Sequence, residues 1–320
     1  MKKNKIKDTG LEVTELSFGT SSLGSMPDTY GYEVPEDRAQ KTLNRFFQGP
    51  VNMLDTSRNY AMGESEKRIG KAIKENGGWP KGFLLSTKLD RNMDTLVLDK
   101  NRARESLEES LKTLNVDSVD ILFLHDPEYA KEITDITKKD GAMDELFKIK
   151  NEGLAKAVGV AMGKVDIMFP LLRDWDFDVV INHNRYTLIN REANEMYDYA
   201  SSKNIAIFNA APYAGGVLAK GPDNFKKVTY QDATEEKLAP AREFEKVCKK
   251  HNVELGAAAL QFSLRDSRIT STICGVTSIE SIEKNLAWAN AEISGEFWEE
   301  ISKLPFSTND PESERVFTPG

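Results

Sequence analysis

Residues 51–88 read VNMLDTSRNYAMGESEKRIGKAIKENGGWPKGFLLSTK, and this stretch decides the fold. An apolar run at 51–55 leads into a polar loop, helical periodicity covers 64–75, and a second apolar run closes the stretch at 83–88. Both runs are near-continuous rather than alternating, the pattern of parallel strands covered on both faces. Two parallel strands need a crossover between them, and the amphipathic segment supplies it. Working outward, similar runs occur at 16–20, 119–124, 155–160, 179–182, 205–210 and 270–275. Helical patterns separate them at 36–47, 101–114, 142–152, 192–202 and 241–251. In the 101–114 helix, Ala103, Leu107, Ser110, Leu111 and Leu114 form the inward stripe, and Arg102, Ser106 and Glu109 are expected to face outward.

The first five strands end near positions 20, 55, 88, 124 and 160. Eight units repeating about every 35 residues close most simply into an α/β fold, the (β/α)8 TIM barrel. A doubly wound sheet would place G-x-G-x-x-G after its first strand, and Phe18-Gly19-Thr20-Ser21-Ser22-Leu23 lacks that pattern. Residues 6–14, with Asp8-Thr9-Gly10 at their middle, read as an N-terminal β-hairpin placed to close the barrel bottom. No linker or low-complexity tract divides the chain, so residues 1–320 are expected to form one barrel domain.

Composition narrows the function. With 39% hydrophobic and 29% charged residues, the chain has the material for a core and is neither disordered nor fibrous. Forty-three Lys and Arg against 51 Asp and Glu give net −8, which argues against nucleic acid as a partner. No apolar run approaches the roughly 20 residues that span a bilayer, so no membrane partner is expected. The start, MKKNKIKDTG, precedes no apolar segment of the signal-peptide kind, and a cytoplasmic location is expected. Cys248 and Cys274 match no metal spacing and no disulfide framework. No metal site is expected, and nothing in the sequence sets an oligomeric state.

Barrel enzymes carry their chemistry at the C-terminal ends of the strands. Asp55 closes the second strand, Lys88 the third, His125 follows the fourth, and Tyr60 lies in the loop after Asp55. Singly, each has a plain structural use as a cap, a solvated residue or packing. Together they form a coherent proton-transfer set. A phenol titrates near 10; a neighbouring ammonium would lower that value, and a carboxylate would fix the ammonium. A histidine can donate to a substrate oxygen whose charge changes. Such a set moves protons at a carbonyl or hydroxyl but holds no hydride source, so a cofactor must supply one.

These residues sit in FGT (18–20), LDTSRNYAMGESEKRIGKAI (54–73), STK (86–88), DILFLHDP (120–127), AVGVAM (157–162), NRYTLIN (184–190), NAAPYAGGVLAKG (209–221) and ICGVTSIESIEKNL (273–286). In that order the chain resembles the aldo-keto reductases over nearly its whole length. The resemblance implies a catalytic tetrad of Asp55, Tyr60, Lys88 and His125, with Tyr60 as acid/base, and a nicotinamide dinucleotide across the barrel mouth. The implied cofactor contacts are Gly19, Thr20, Asp55, His183, Ala211, Tyr213, Gly215, Gly275, Thr277, Ser281 and Asn285. His183 also has an ordinary reading as a satisfied core histidine. One departure is local: the family's glycine after the tyrosine is displaced in Tyr60-Ala61-Met62-Gly63.

Other departures form a pattern. Ala161, Met162, His183 and Ala210 stand where many members hold or stack on the nicotinamide with Ser, Asn, Gln and Tyr. These replacements look like the sugar-oxidising branch, the aldose 1-dehydrogenases and their L-fucose, D-threo-aldose, L-galactose and pyridoxal relatives. Residues 275–281, GVTSIES, contain one acid and no cation, which favours NAD over NADP, whose 2′-phosphate wants Arg or Lys. The resemblance therefore implies oxidation of an aldose, a small-molecule substrate, at its anomeric carbon to a lactone. Asp126, Trp79 and Tyr129 are candidate sugar contacts, and Trp175 a second candidate pocket tryptophan. Two alternatives stay open: an NADPH-dependent reductase of small aldehydes or ketones, and a redox-sensing subunit that binds cofactor without useful turnover. The polar tail after Leu304 either shapes the pocket or is loose.

Overall fold

The computed structural model describes residues 1–315. Among them, eight parallel strands close a barrel: Leu16–Gly19, Met53–Asp55, Leu84–Leu89, Val119–His125, Ala155–Met162, Val179–His183, Ala206–Ala210 and Ile269–Gly275. Closure is by parallel pairing of the last strand with the first, Cys274 opposite Phe18. The interior is filled by inward residues of the strands, among them Met53, Ile121, Phe123, Ala157, Val179 and Phe208. Lys3–Ile6 pairs with Leu11–Thr14 as the expected hairpin, and Ile6, Leu11 and Val13 join that same interior cluster. The hairpin thus seals one end of the barrel with apolar side chains, and the strand C-termini form the other, open rim.

Outside, the helices Glu36–Phe47, Glu64–Glu75, Lys100–Leu114, Ala142–Asn151, Asn194–Ser202 and Glu235–Lys250 correspond to the patterns read from sequence. The last begins six residues earlier than its pattern, because Thr234 caps it, accepting from the Lys237 amide, and the helix runs through Pro240. Val165–Asp174, Leu255–Leu264, Ile279–Ala289 and Gly295–Ile301 were not read as helices. Leu255–Leu264 shows why: LGAAALQFSL is buried on nearly every face, so it carries no polar stripe to mark a helical period. Val165–Asp174 carries Pro170 inside it.

Ser106 corrects the reading of the 101–114 stripe. It is buried, not outward, and its hydroxyl accepts the Asp90 amide at 2.9 Å. A hydroxyl small enough to sit beneath a strand end satisfies a backbone donor that an aliphatic residue would leave unpaired. A short hairpin, Lys227–Val228 with Gln231–Asp232, lies in the loop after the seventh barrel strand and brings Tyr230 over the open rim.

Candidate active site

Asp55 and Lys88 come from adjacent strands and meet beneath the rim. Lys88 Nζ donates to Asp55 Oδ2 at 2.7 Å and to the Thr56 carbonyl at 2.6 Å, and the Ser86 hydroxyl donates to Asp55 Oδ1 at 2.9 Å. Both side chains are almost fully buried. A buried ion pair is tolerated when further hydrogen bonds satisfy its remaining atoms, and here they do.

Tyr60 stands above this pair. Its loop turns sharply: Ala61 and Met62 adopt φ of 51° and 53°, and Gly63 follows at 91°. The displaced glycine is thus one of three consecutive left-handed residues, two of which lack glycine's freedom, the kind of stored strain that collects at functional sites. Lys88 Nζ lies 4.5 Å from the Tyr60 ring centroid, over the ring face. The His125 ring meets the Tyr60 ring edge-on, with centroids 5.7 Å apart. The four residues singled out in the sequence are therefore brought together. The expected lowering of the phenol's pKa is not found. Burial, then the carboxylates Asp55 and Asp126, push Tyr60 well above the usual phenol range.

His125 has a partner the sequence reading missed. Its Nδ1 lies 2.6 Å from Asp90 Oδ1. Asp90 Oδ2 accepts from the Ser57 hydroxyl at 2.5 Å and from the Asn59 amide at 3.1 Å. On the other side, His125 Nε2 is 3.6 Å from Asp126 Oδ2. Burial disfavours a charge on His125, yet Asp126 and Asp90 outweigh it and raise its pKa. Burial also opposes charge on Asp90, but His125 and Ser57 overcome it and keep the carboxyl below its ordinary value. The available signal was spacing: Lys88 and Asp90 are two apart at a strand end, hence on one face.

A cleft of about 480 Å³ opens beside these groups. Gly19, Asp55, His183, Ala211, Tyr213, Gly215, Gly275, Thr277, Ser281 and Asn285 all line it, as do Ala161, Met162 and Ala210. Thr20 does not. It is fully buried, and its hydroxyl donates to the Asp55 carbonyl at 2.9 Å, so its work is to hold the strand end. His183 faces the cleft rather than the core, with burial lowering its pKa. The Tyr213 hydroxyl donates to Asn285 Oδ1 at 2.5 Å. A Cβ on Gly275 would meet nothing nearer than Ser22 Oγ at 3.8 Å, and Gly215 and Gly216 have φ of 75° and 120°. Together with the N-terminus of helix Ile279–Ala289, whose Thr277 and Ser281 line the cleft, these bare backbone stretches fit an extended, phosphate-bearing dinucleotide.

Asp126 and Tyr129 line the cleft; Trp79 and Trp175 do not. Trp79 packs on Phe46 and Phe47, and Trp175 stacks on Phe147, both covering core edges. Cys274 is a packed thiol that burial pushes up to about 12. Among the described residues no cluster of potential metal ligands occurs, and no helix is long and apolar enough to cross a membrane. The tail is docked at least as far as Arg315: Asp310 and Glu312 grip the buried Arg185 guanidinium, and Arg315 lines the cleft. Residues 316–320 lie outside the described region.

Polar groups gathered at the C-terminal rim, beside a long cleft, define an enzyme of the barrel class whose chemistry sits on its βα loops. Residues 15–305 match the Aldo/keto reductase family, and the chain is a member of it, an oxidoreductase. Members use NAD(P)H. The chain is 30% identical over 284 residues to L-galactose dehydrogenase of Arabidopsis thaliana, covering 88% of this chain and 85% of that protein. It is 27% identical over 321 residues to D-threo-aldose 1-dehydrogenase of a Pseudomonas species, covering 92% and 94%. It is 25% identical over 321 residues to NADH-specific methylglyoxal reductase of Escherichia coli, covering 92% and 95%. In fold it matches the holo form of an aldo-keto reductase from Bacillus halodurans, with a TM-score of 0.79, 21% identity, and coverage of 99% and 100%.

Proposed function

We propose that this protein oxidises the anomeric carbon of an aldose to a lactone with NAD as acceptor. The observation that carries the reading is the convergence of Tyr60 and His125 over the buried Lys88–Asp55 pair at the cleft floor. A hydroxyl placed between the phenol and the imidazole is held by both. Bound in the cleft, the nicotinamide would supply the two-electron acceptor. Gly275, Thr277, Ser281 and Asn285 would hold the adenosine side, Gly215 and Gly216 the pyrophosphate, and His183 the carboxamide. Asp126 and Tyr129 put a carboxylate and a phenol within the cleft, acceptors and donors that a polyhydroxylated substrate needs. The similarity to two sugar dehydrogenases supports the same substrate class. NAD is favoured over NADP because residues 275–281 carry no cation. The nearest cation, Lys284, has its Nζ 4.6 Å from the Trp288 ring centroid and 3.9 Å from Glu254.

One observation favours the reverse direction, reduction of a small aldehyde or ketone with NADPH. A phenol held well above its ordinary pKa carries its proton at neutral pH and is ready to deliver it to a carbonyl. The test is NADH formation at mildly alkaline pH with L-fucose, L-galactose, D-arabinose, L-xylose and pyridoxal, beside NADPH-dependent aldehyde reduction. Turnover of at least one aldose with NAD, and a lower Kd for NAD than for NADP, are expected. Silence across the aldoses beside robust NADPH-dependent reduction overturns the reading.

A further inference from the structure

We propose that Asp90 is a positioning residue for His125, and that the Asp90–His125 pair receives the substrate hydroxyl's proton when this enzyme oxidises. The proposal rests on the oxidative reading above and names the base that reading requires.

A proton leaving a hydroxyl near neutral pH needs an acceptor that is unprotonated there. Tyr60 is held in its proton-bearing form, so it serves as a hydrogen-bond donor to the substrate oxygen. His125 is differently placed. Asp90, ionised, can only accept, so the proton on Nδ1 belongs to the 2.6 Å bond between them. That bond fixes the tautomer and leaves the lone pair of the neutral ring on Nε2, the nitrogen on the Asp126 side of the cleft. Asp90 is itself built in. It accepts from Ser57 and Asn59, its amide donates to Ser106, and its carbonyl accepts Arg102 Nε at 3.1 Å. Ser57 and Asn59 belong to the loop that carries Tyr60, so one carboxylate sets both groups that bracket the substrate oxygen.

The charged and titratable groups facing His125 are Asp90 and Lys88 from the third strand, Asp126 from its own chain continuation, and Tyr60 with Asp55 from the second. The two carboxylates that raise the imidazole's pKa bring it toward the operating range of a general base. In the step, the hydroxyl proton passes to Nε2 and the anomeric C–H bond breaks. Its hydrogen leaves with the electron pair to oxidised nicotinamide, and the C–O single bond becomes a carbonyl. The imidazolium so formed lies between Asp90 and Asp126, which offset its charge.

The experiment is ¹⁵N NMR of the full-length protein labelled at its three histidines, with His125→Gln to assign the signals, run beside pH profiles of aldose oxidation. Expected in the unmutated protein are a protonated Nδ1 on neutral His125 and titration at Nε2. The midpoint should coincide with the acid limb of kcat/KM. Asp90→Asn should move both midpoints down by about one pH unit or more, or transfer the neutral ring's proton to Nε2. Tyr60→Phe should lower the rate and leave the acid limb in place. A neutral ring protonated at Nε2 in the unmutated protein overturns the proposal, as does an acid limb that Asp90→Asn does not move. The unmutated protein's spectrum decides the tautomer even if the variant does not fold. If no aldose is turned over, the oxidative reading fails and the base assignment falls with it, whereas the Asp90 positioning of His125 is still judged by the spectra.

Discussion

Lys88 has its Nζ spent on two bonds, to Asp55 and to the Thr56 carbonyl, and the ring of Tyr60 lies over it. Removing one member of a buried pair leaves the other's charge uncompensated, at a cost of about 3–5 kcal/mol. Asp55→Asn is therefore expected to lower the urea midpoint markedly and to reduce turnover. An unchanged midpoint would mean that the pair contributes nothing to the fold. For Tyr60→Phe, with the ring and its packing kept, turnover is expected to fall by about 10²–10⁴ with little change in Tm, measured by steady-state rates and thermal melts. These two residues, with Asp55 and His125, were legible in the sequence because strand ends of a barrel are where ionisable residues have chemical work. Asp90, Ser57 and Thr20 were not legible in the same way. A polar residue at a strand end also serves as a cap or a backbone tie, and only the fold shows that Thr20 ties Asp55 while Asp90 holds His125.

The helix Glu64–Glu75 joins the site to the barrel wall. Its Glu66 is fully buried and accepts the Thr87 hydroxyl at 2.7 Å, and burial pushes its carboxyl up to about 7 from 4.5. A carboxyl whose folded pKa lies above its unfolded one favours the fold fully below pH 4.5 and loses that advantage as pH rises through 7. The loss comes to about 3 kcal/mol at roughly 1.4 kcal/mol per pKa unit. Thermal melts from pH 5 to 8 should show this decline, and Glu66→Gln should flatten it; an equal slope in both proteins would contradict the assignment. One turn on, Gly70 faces the next helix, where a Cβ would stand 2.0 Å from the Thr113 carbonyl oxygen. Gly70→Ala is expected to destabilise, although alanine is the better helix former by about 1 kcal/mol. A gain in Tm would show that the two helices can part without cost. This helix was legible from its polar stripe. Leu255–Leu264, wrapped in apolar contacts, has no such stripe, and its alanines alone do not set a period.

Across the whole molecule, the tail returns to the barrel mouth. Arg185 is 1% exposed and depends on Asp310 and Glu312, more than 120 residues away in sequence, for its charge partners. No local pattern marks such a pairing, which is why a polar tail containing prolines reads equally well as loose. Glu312→Gln should lower Tm by several degrees and raise substrate KM more than it changes kcat, since Arg185 and the cleft-lining Arg315 both bond to Glu312. Unchanged Tm and KM would show that the tail is not part of the cleft wall. The barrel itself was legible from the repeat of near-continuous apolar runs, and the hairpin from its turn. The account's central claim is that this cleft takes hydrogen from an aldose's anomeric carbon and passes it to NAD. Its most direct test is the oxidation of C1-deuterated L-galactose and L-fucose by NAD, followed by mass analysis of the reduced cofactor. The account predicts one deuterium per cofactor reduced and a rate that falls by about 10²-fold or more in Tyr60→Phe. Reduced cofactor without deuterium, or no reduction with any aldose while NAD stays bound, would contradict it.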